Sequence, residues 1–170
     1  MDFNKAMSVV EFIAEQKEPN GNGLSVAHIM ARRGYIFPLE SPLLHLATNA
    51  GWTVAHEMAN AGFVFPEDHP ALKLSNDLGQ TVAAVMAEQG YMFTESNECI
   101  IFANVSGWTI AHTMAVNGYQ FPEDSNVLKL ANDSGWTVAH EMARGGHNFA
   151  SDDILAVSYT HLTLPTNLCV

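Results

Sequence analysis

The sequence predicts an all-α protein, an αα-solenoid of five tandem helix-turn-helix units behind an N-terminal capping helix. Three observations carry this. Gly23, Gly51, Gly79, Gly107 and Gly135 follow one another at 28-residue steps. The residues after them stay in register without an insertion, so that Val26, Val54, Val82, Ile110 and Val138 form one column and Met30, Met58, Met86, Met114 and Met142 another. Phe37, Phe65, Phe93, Phe121 and Phe149 form a third. Columns of like residues at a fixed period mean that neighbouring units stack their like faces.

The elements follow in order. In residues 1–20, Ala6, Val9, Val10 and Ile13 make an apolar stripe, with Asn4, Glu11, Glu15 and Lys17 outside it. That spacing predicts a helix that covers the first unit's open end. Residues 21–156 hold the five units. The nine residues "GWTVAHEMA" stand at Gly51–Ala59 and again at Gly135–Ala143, with "GWTIAHTMA" from Gly107. Thr53 is placed to cap a helix, and Gly62 to end it in a left-handed conformation, which leaves a helix of about eight residues. Val54, Ala55, Met58 and Ala59 gather on one side of it, while Glu57, Asn60 and Ala61 look elsewhere.

A second short helix is expected in "FPEDSNVLKLAND", Phe121–Asp133, where a proline and acidic residues suit a helix start and Val127, Leu128, Leu130 and Ala131 share a side. Helices this short are marginal in water, because nucleation costs more than two turns of hydrogen bonds return. Each unit therefore depends on its neighbours. The segment 157–170 breaks the register, and "VSYTHLTLPT" at Val157–Thr166 resembles a translated sequencing adapter. Authentic sequence is expected to end near Ala156, with more repeats or another domain following in the natural chain.

Composition bounds the function. Of 170 residues, 18 are acidic and 7 basic, a formal charge of −11 that repels phosphate backbones and anionic lipid. Neither nucleic acid nor membrane is an expected partner. The start lacks a secretory leader's basic and apolar pattern, and Cys99 and Cys169 are too few and too scattered for a disulfide framework or a zinc site. The expected compartment is the cytoplasm and the expected state a monomer.

Gly51, Thr53, His56, Ala59 and Gly62 fit the pattern G-x-T-x-x-H-x-x-A-x-x-G, as do Gly107, Thr109, His112, Ala115 and Gly118, and Gly135, Thr137, His140, Ala143 and Gly146. This pattern resembles the start of an ankyrin repeat, with its "TPLH" helix and terminating glycine. The unit at Gly23 has Ser25 for threonine, and the unit at Gly79 has Ala84 for histidine. Ankyrin units run to about 33 residues; here the missing residues fall where that family lengthens its second helix and builds a projecting hairpin. A leucine-rich repeat is the alternative, an α/β solenoid in which "LKLSND" at Leu72–Asp77 would begin with a strand over 72–74. Its asparagine arrives one residue early and its hydrophobic ladder is short.

The resemblance implies that His28, His56, His112 and His140 bond to backbone of adjacent turns. A metal role fails on spacing, since ligands converge within about 2 Å of an ion whereas stacked units lie about 10 Å apart. No H-E-x-x-H, G-x-S-x-G or phosphate-cradling loop occurs, so neither enzyme activity nor a cofactor is expected. Trp52, Trp108 and Trp136 precede the capping threonine, a position that the resemblance places on the concave, partner-facing side; each indole either contacts a partner or packs on the next turn. The methionine column reads as core filler.

The expected function is that of a non-enzymatic protein–protein interaction scaffold, the alternative an architectural spacer within a longer chain. Columns that repeat explain stacking, so columns that vary are free for recognition. These are Ile29, Glu57, Val85, Thr113 and Glu141 on the first helix, then Arg32, Arg33, Asn60, Glu88, Gln89, Val116 and Asn117 near its end. Asn49, Asp77 and Asp133 vary in the turns. The acidic pairs Glu67–Asp68, Glu123–Asp124 and Asp152–Asp153 either attract a basic partner or serve as helix-start charges.

Overall fold

A computed structural model describes residue 16 and residues 21–149. The predicted capping helix, the segment 157–170 and the Asp152–Asp153 pair lie outside the described residues. Within them the chain is all-helical: five α-helices alternate with four short 3-10 helices, and β pairing is confined to isolated bridges. The α-helices are α1 Val26–Arg32, α2 Val54–Asn60, α3 Val82–Glu88, α4 Ile110–Val116 and α5 Val138–Arg144. The 3-10 helices are η1 Pro42–His45, η2 Pro70–Lys73, η3 Glu98–Ile101 and η4 Asn126–Lys129. The chain forms two compact units, one ending at Phe93 and the next beginning at Thr94.

In the first unit α1 packs on α2 and α2 on α3; in the second, α4 packs on α5. Each 3-10 helix packs on the α-helix that follows it: η1 on α2 and η2 on α3 in the first unit, η3 on α4 and η4 on α5 in the second. This stepwise packing is that of an α solenoid within each unit. Ala27, Ala31, Ala55, Ala59, Ala83 and Ala87 are all buried and let the helices of the first unit approach closely. Met58, Met86, Met114 and Met142 are buried as core filler, and Phe65, Phe93 and Phe121 are among the largest fully enclosed side chains. Met30 and Phe149, at the two ends of the described repeats, are only half-buried.

Each α-helix is seven residues long because both of its ends are fixed locally. At the start of α2, Thr53 is extended and its hydroxyl accepts the His56 amide at 3.3 Å. At the end, the Gly62 amide donates to Ala59 and the Phe63 amide to Met58, a Schellman arrangement with Gly62 at φ 92°. The same pair of bonds ends α1, α3, α4 and α5. The sequence signature Met-Ala-x-x-Gly-aromatic is thus the written form of one helix stop.

The expected second helix is shorter than the sequence suggested. It is a single 3-10 turn of four residues, opened by a side chain (Ser41, His69, Asn97 or Ser125) that accepts the amide two residues on. The chain has no room for more. In η1 the Leu46 amide closes on Leu43, and Leu46 must already be extended so that its carbonyl accepts the Val54 amide and Ala47 can bridge to Thr53. Leu43 and Leu44 remain buried, as do Ala71 and Leu72, Cys99 and Ile100, and Leu128. Val127 and Leu130 are half-buried and Ala131 is exposed, so that expected face is only partly used. The leucine-rich alternative also fails here, because Leu72 and Lys73 lie within η2 and no strand is present among the described residues.

A tight turn leads from each 3-10 helix to the next α-helix. The Gly51 amide closes on the Thr48 carbonyl at 3.0 Å, and the Thr48 amide donates to Trp52. Successive turns then stack through one backbone bond each: Asn49 to Asn22 and Asp77 to Ala50 in the first unit, Asp133 to Ser106 in the second. Gly51 has φ 75°, and a Cβ there would lie 2.9 Å from Asp77 Oδ1 and 3.0 Å from the Asn76 Cα, so both conformation and space favour glycine at this position.

Candidate partner-binding groove

The histidine at the centre of each nine-residue copy is part of the helix cap. The Thr53 amide donates to His56 Nδ1 at 3.1 Å, and the Thr53 hydroxyl lies 2.6 Å from the same nitrogen. A backbone N–H can only donate, so Nδ1 is the acceptor and the proton sits on Nε2. Nε2 then donates to the Gln80 carbonyl of the next repeat at 3.1 Å. The imidazole does the work that Glu or Gln does in an ordinary capping box, and adds a bond between repeats.

His28 repeats this geometry, with Ser25 N at 3.2 Å and the Trp52 carbonyl at 3.0 Å, and so does His112, with Thr109 N at 3.2 Å and the Trp136 carbonyl at 3.0 Å. His140 Nδ1 accepts the Thr137 amide at 2.8 Å. Burial holds all four rings below the usual histidine pKa, against the opposing pull of the carbonyl acceptors at His28, His56 and His112 and of nearby Glu57 or Glu141. A neutral ring satisfies every bond described; a protonated Nδ1 would meet the amide of the capping threonine or, at His28, of Ser25 head-on. Among the described residues, no three His, Cys, Asp or Glu side chains gather as metal ligands.

Each tryptophan lies over its own repeat's histidine: Trp52 on His56 at 4.8 Å, Trp108 on His112 at 4.9 Å and Trp136 on His140 at 4.6 Å between ring centroids. The Gly79 repeat lacks both residues, with Gln80 and Ala84, whereas the Gly23 repeat keeps His28 beside Leu24, so the histidine does not need the indole. Trp108 Nε1 donates to Thr113 Oγ1 at 3.0 Å. The indoles thus pack on the turn, Trp52 and Trp108 half-buried and Trp136 more open. Their outer faces remain available at the surface.

The variable column on the first helix needs correction. Glu57, Val85 and Glu141, expected to face a partner, are buried, and Ile29 and Thr113 are half-buried. Helix α2 is flanked on both sides, by α1 and by α3, so the side opposite Val54 and Met58 is covered too. The buried Glu57 carboxylate is held by Arg32 of the preceding repeat, through Nη2 at 2.6 Å and Nε at 3.3 Å. That pairing is what burial of a charge requires. It also raises the Arg32 pKa, the hydrogen bond being the main cause. Glu141 has Arg144 at 3.5 Å on its own helix. This column varies because each residue answers to a different neighbour.

Other candidates do reach solvent. Asn60, Glu88, Gln89 and Asn117 are exposed, as are Arg33, Val116, Asn49, Asp77 and Asp133. Gln89 Nε2 donates to Asn60 at 3.3 Å, and Gln80 Nε2 lies 2.8 Å from both Glu88 carboxylate oxygens. In the first unit Arg32, Asn49, Trp52, Glu57, Asn60 and Asp77 line one open groove of about 780 Å³. Asn22, Leu24, Thr48 and Ala50 complete it. Leu24 was legible as the counterpart of Trp52 in the 28-residue register, but the turn residues carry no side-chain signal of their own. One indole edge, one guanidinium–carboxylate pair, three amides and an acid give a surface that reads hydrogen-bond donors and acceptors on a chain laid along it.

His69 was not anticipated. It caps η2, accepting the Ala71 amide on Nδ1 at 3.2 Å, and its Nε2 reaches the Leu39 carbonyl of the preceding repeat at 3.2 Å. No helix among the described residues is long and apolar enough to cross a membrane. The chain matches no protein-family model and no characterised protein.

Proposed function

We propose that this chain is a non-enzymatic protein–protein interaction scaffold of the ankyrin-repeat type, and that the groove of the first unit receives the partner. The observation that carries the reading is the groove itself, in which residues of two successive repeats and of the turn that leads into the third meet: Arg32 from the first, Trp52 and Asn60 from the second and Asp77 from the turn before Gly79. A partner that touches all of them reads the stacking of the repeats, which no single repeat offers. The threonine cap, the bridging imidazole and the glycine stop support kinship with ankyrin units, while the 3-10 turn and the tight turn depart from it.

The groove is open and mixed in polarity, and the histidines nearest to it are fully engaged in caps and bridges, which favours recognition over chemistry. The partner it suits is a peptide segment with exposed amides and a basic residue for Asp77. Asn60→Arg and Asp77→Arg together test this, because both side chains are exposed and neither is part of the repeat core. Quantitative affinity purification with the double variant should lose a defined subset of the proteins bound by the wild type, with the melting temperature unchanged. If the two proteins capture identical sets, the spacer reading replaces the scaffold.

A further inference from the structure

The geometry points to a second docking surface on the first unit, in which the turns that end α1, α2 and α3 hold a basic amphipathic helix of another protein. Each helix stop places an aromatic residue after the glycine and packs it edge-on against the phenylalanine two residues later: Tyr35 on Phe37, Phe63 on Phe65 and Tyr91 on Phe93, all at 4.8 Å. At the first two turns the residue between the two rings is turned outward, while Met92 at the third is half-buried. In the first unit it is apolar, with Ile36 59% and Val64 51% exposed. In the second unit the same register position holds Gln120 and Asn148, so nothing in the turn requires an apolar residue there.

Two shallow grooves adjoin on this surface. One, of about 380 Å³, lies between Tyr35, Ile36 and Met58 on one side and Phe63 and Val64 on the other. The next, of about 240 Å³, lies between Phe63, Val64, Met86 and Tyr91. They share Gly62, Phe63 and Val64 and so run on as one apolar track with a repeat's spacing between its two halves. Packed helices stand about 8–10 Å apart, and two residues seven apart on an α-helix are separated by about 10.5 Å. One pair of apolar anchors at i and i+7 therefore fits one groove each.

Charge selects the flanks of that helix. Glu67 borders the track, its carboxylate accepting the Tyr91 hydroxyl at 3.1 Å, and Asp68 follows it in the chain. In the second unit Glu123 stands beside His147 in the same relation, at 3.8 Å, whereas Leu39 holds that position in the first repeat. With a chain charge of −11 the surface attracts lysine and arginine and repels an anionic bilayer. This surface differs from the Trp52–Asp77 groove described above, and either stands without the other.

The test is fluorescence anisotropy of the full chain with a synthetic lysine- and alanine-rich helix bearing two leucines seven residues apart. A peptide of the same composition with the leucines on opposite faces is the reference. Val64→Ser should weaken binding of the first peptide roughly tenfold, since one outward apolar side chain is lost. Glu67→Gln should flatten its salt dependence, and Gln120→Ser should leave it unchanged. Because Val64 is half open to water, its variant should melt with the wild type. Equal binding of the two peptides, or a Val64→Ser protein that binds as the wild type does, overturns the proposal.

Discussion

The repeat that begins at Gly51 and the one that begins at Gly79 differ at the histidine, and the comparison separates what forms a repeat from what joins it to the next. Both carry a seven-residue helix, both open on an extended threonine (φ −93°, ψ 166° at Thr53 and φ −88°, ψ 162° at Thr81) and both end in the same glycine stop. Thr81 caps the Ala84 amide at 3.1 Å without any imidazole. The hydroxyl and the glycine are therefore sufficient for the helix. What His56 adds is the reciprocal bond to the threonine amide, the bond to the Gln80 carbonyl in the next repeat and a surface on which Trp52 rests.

The largest effect should come from removing that addition where it exists. His56→Ala leaves the Gln80 carbonyl and the Thr53 amide without the ring and opens a cavity beneath Trp52, which should cost about 2–4 kcal/mol in urea unfolding. A loss under about 0.5 kcal/mol would reduce the repeat-to-repeat bond to decoration. Capping should show a smaller asymmetry. Thr53→Ala should cost about 2 kcal/mol because the hydroxyl serves both the His56 amide and the ring, and Thr81→Ala about 1 kcal/mol because it serves one amide. Amide exchange at His56 and Ala84 would report the two caps separately, and equal costs would break the comparison.

Acid should act on the histidine repeats alone. Burial lowers the folded-state pKa of His28, His56, His112 and His140, so between those values and the ordinary 6.5 the unfolded chain binds protons that the folded chain refuses. The stability contributed by the neutral rings is complete above pH 6.5 and is lost as pH falls below it toward the folded-state values. His56 alone should contribute a slope of at most ~1.4 kcal/mol per pH unit, and His56→Ala should remove that share from the wild-type curve. The smallest effect belongs to the indole bond: Trp108→Phe keeps the contact with His112 and loses the bond to Thr113, at a cost of about 0.5–1 kcal/mol.

Much of the repeat was legible in the sequence because its signals are local. Thr53 and Gly62 mark the helix ends through hydrogen bonds to residues at most five positions away, and the 28-residue register made the stacking columns visible. The second helix was overestimated for a reason of length. "NVLKLAND" carries an apolar spacing that either an α-helix or one 3-10 turn satisfies, and only the obligation of Leu130 to accept the Val138 amide decides between them. The candidate site was legible in part. Trp52, Asn60 and Asp77 do meet in one groove, but Glu57 and Val85 were assigned to the surface because variability was equated with exposure. The pairing of Glu57 with Arg32 spans 25 positions, and no periodic pattern announces it.

A neutral imidazole that accepts from the capping threonine or serine of its own repeat and donates to the next joins the repeats. Long-range ¹⁵N–¹H correlation spectra of the histidine rings read that arrangement directly. The predicted result is a proton on Nε2 and none on Nδ1 for His28, His56 and His112, held without titration as pH falls through 6.5. A proton on Nδ1, or rings that titrate like free histidine near 6.5, would contradict it.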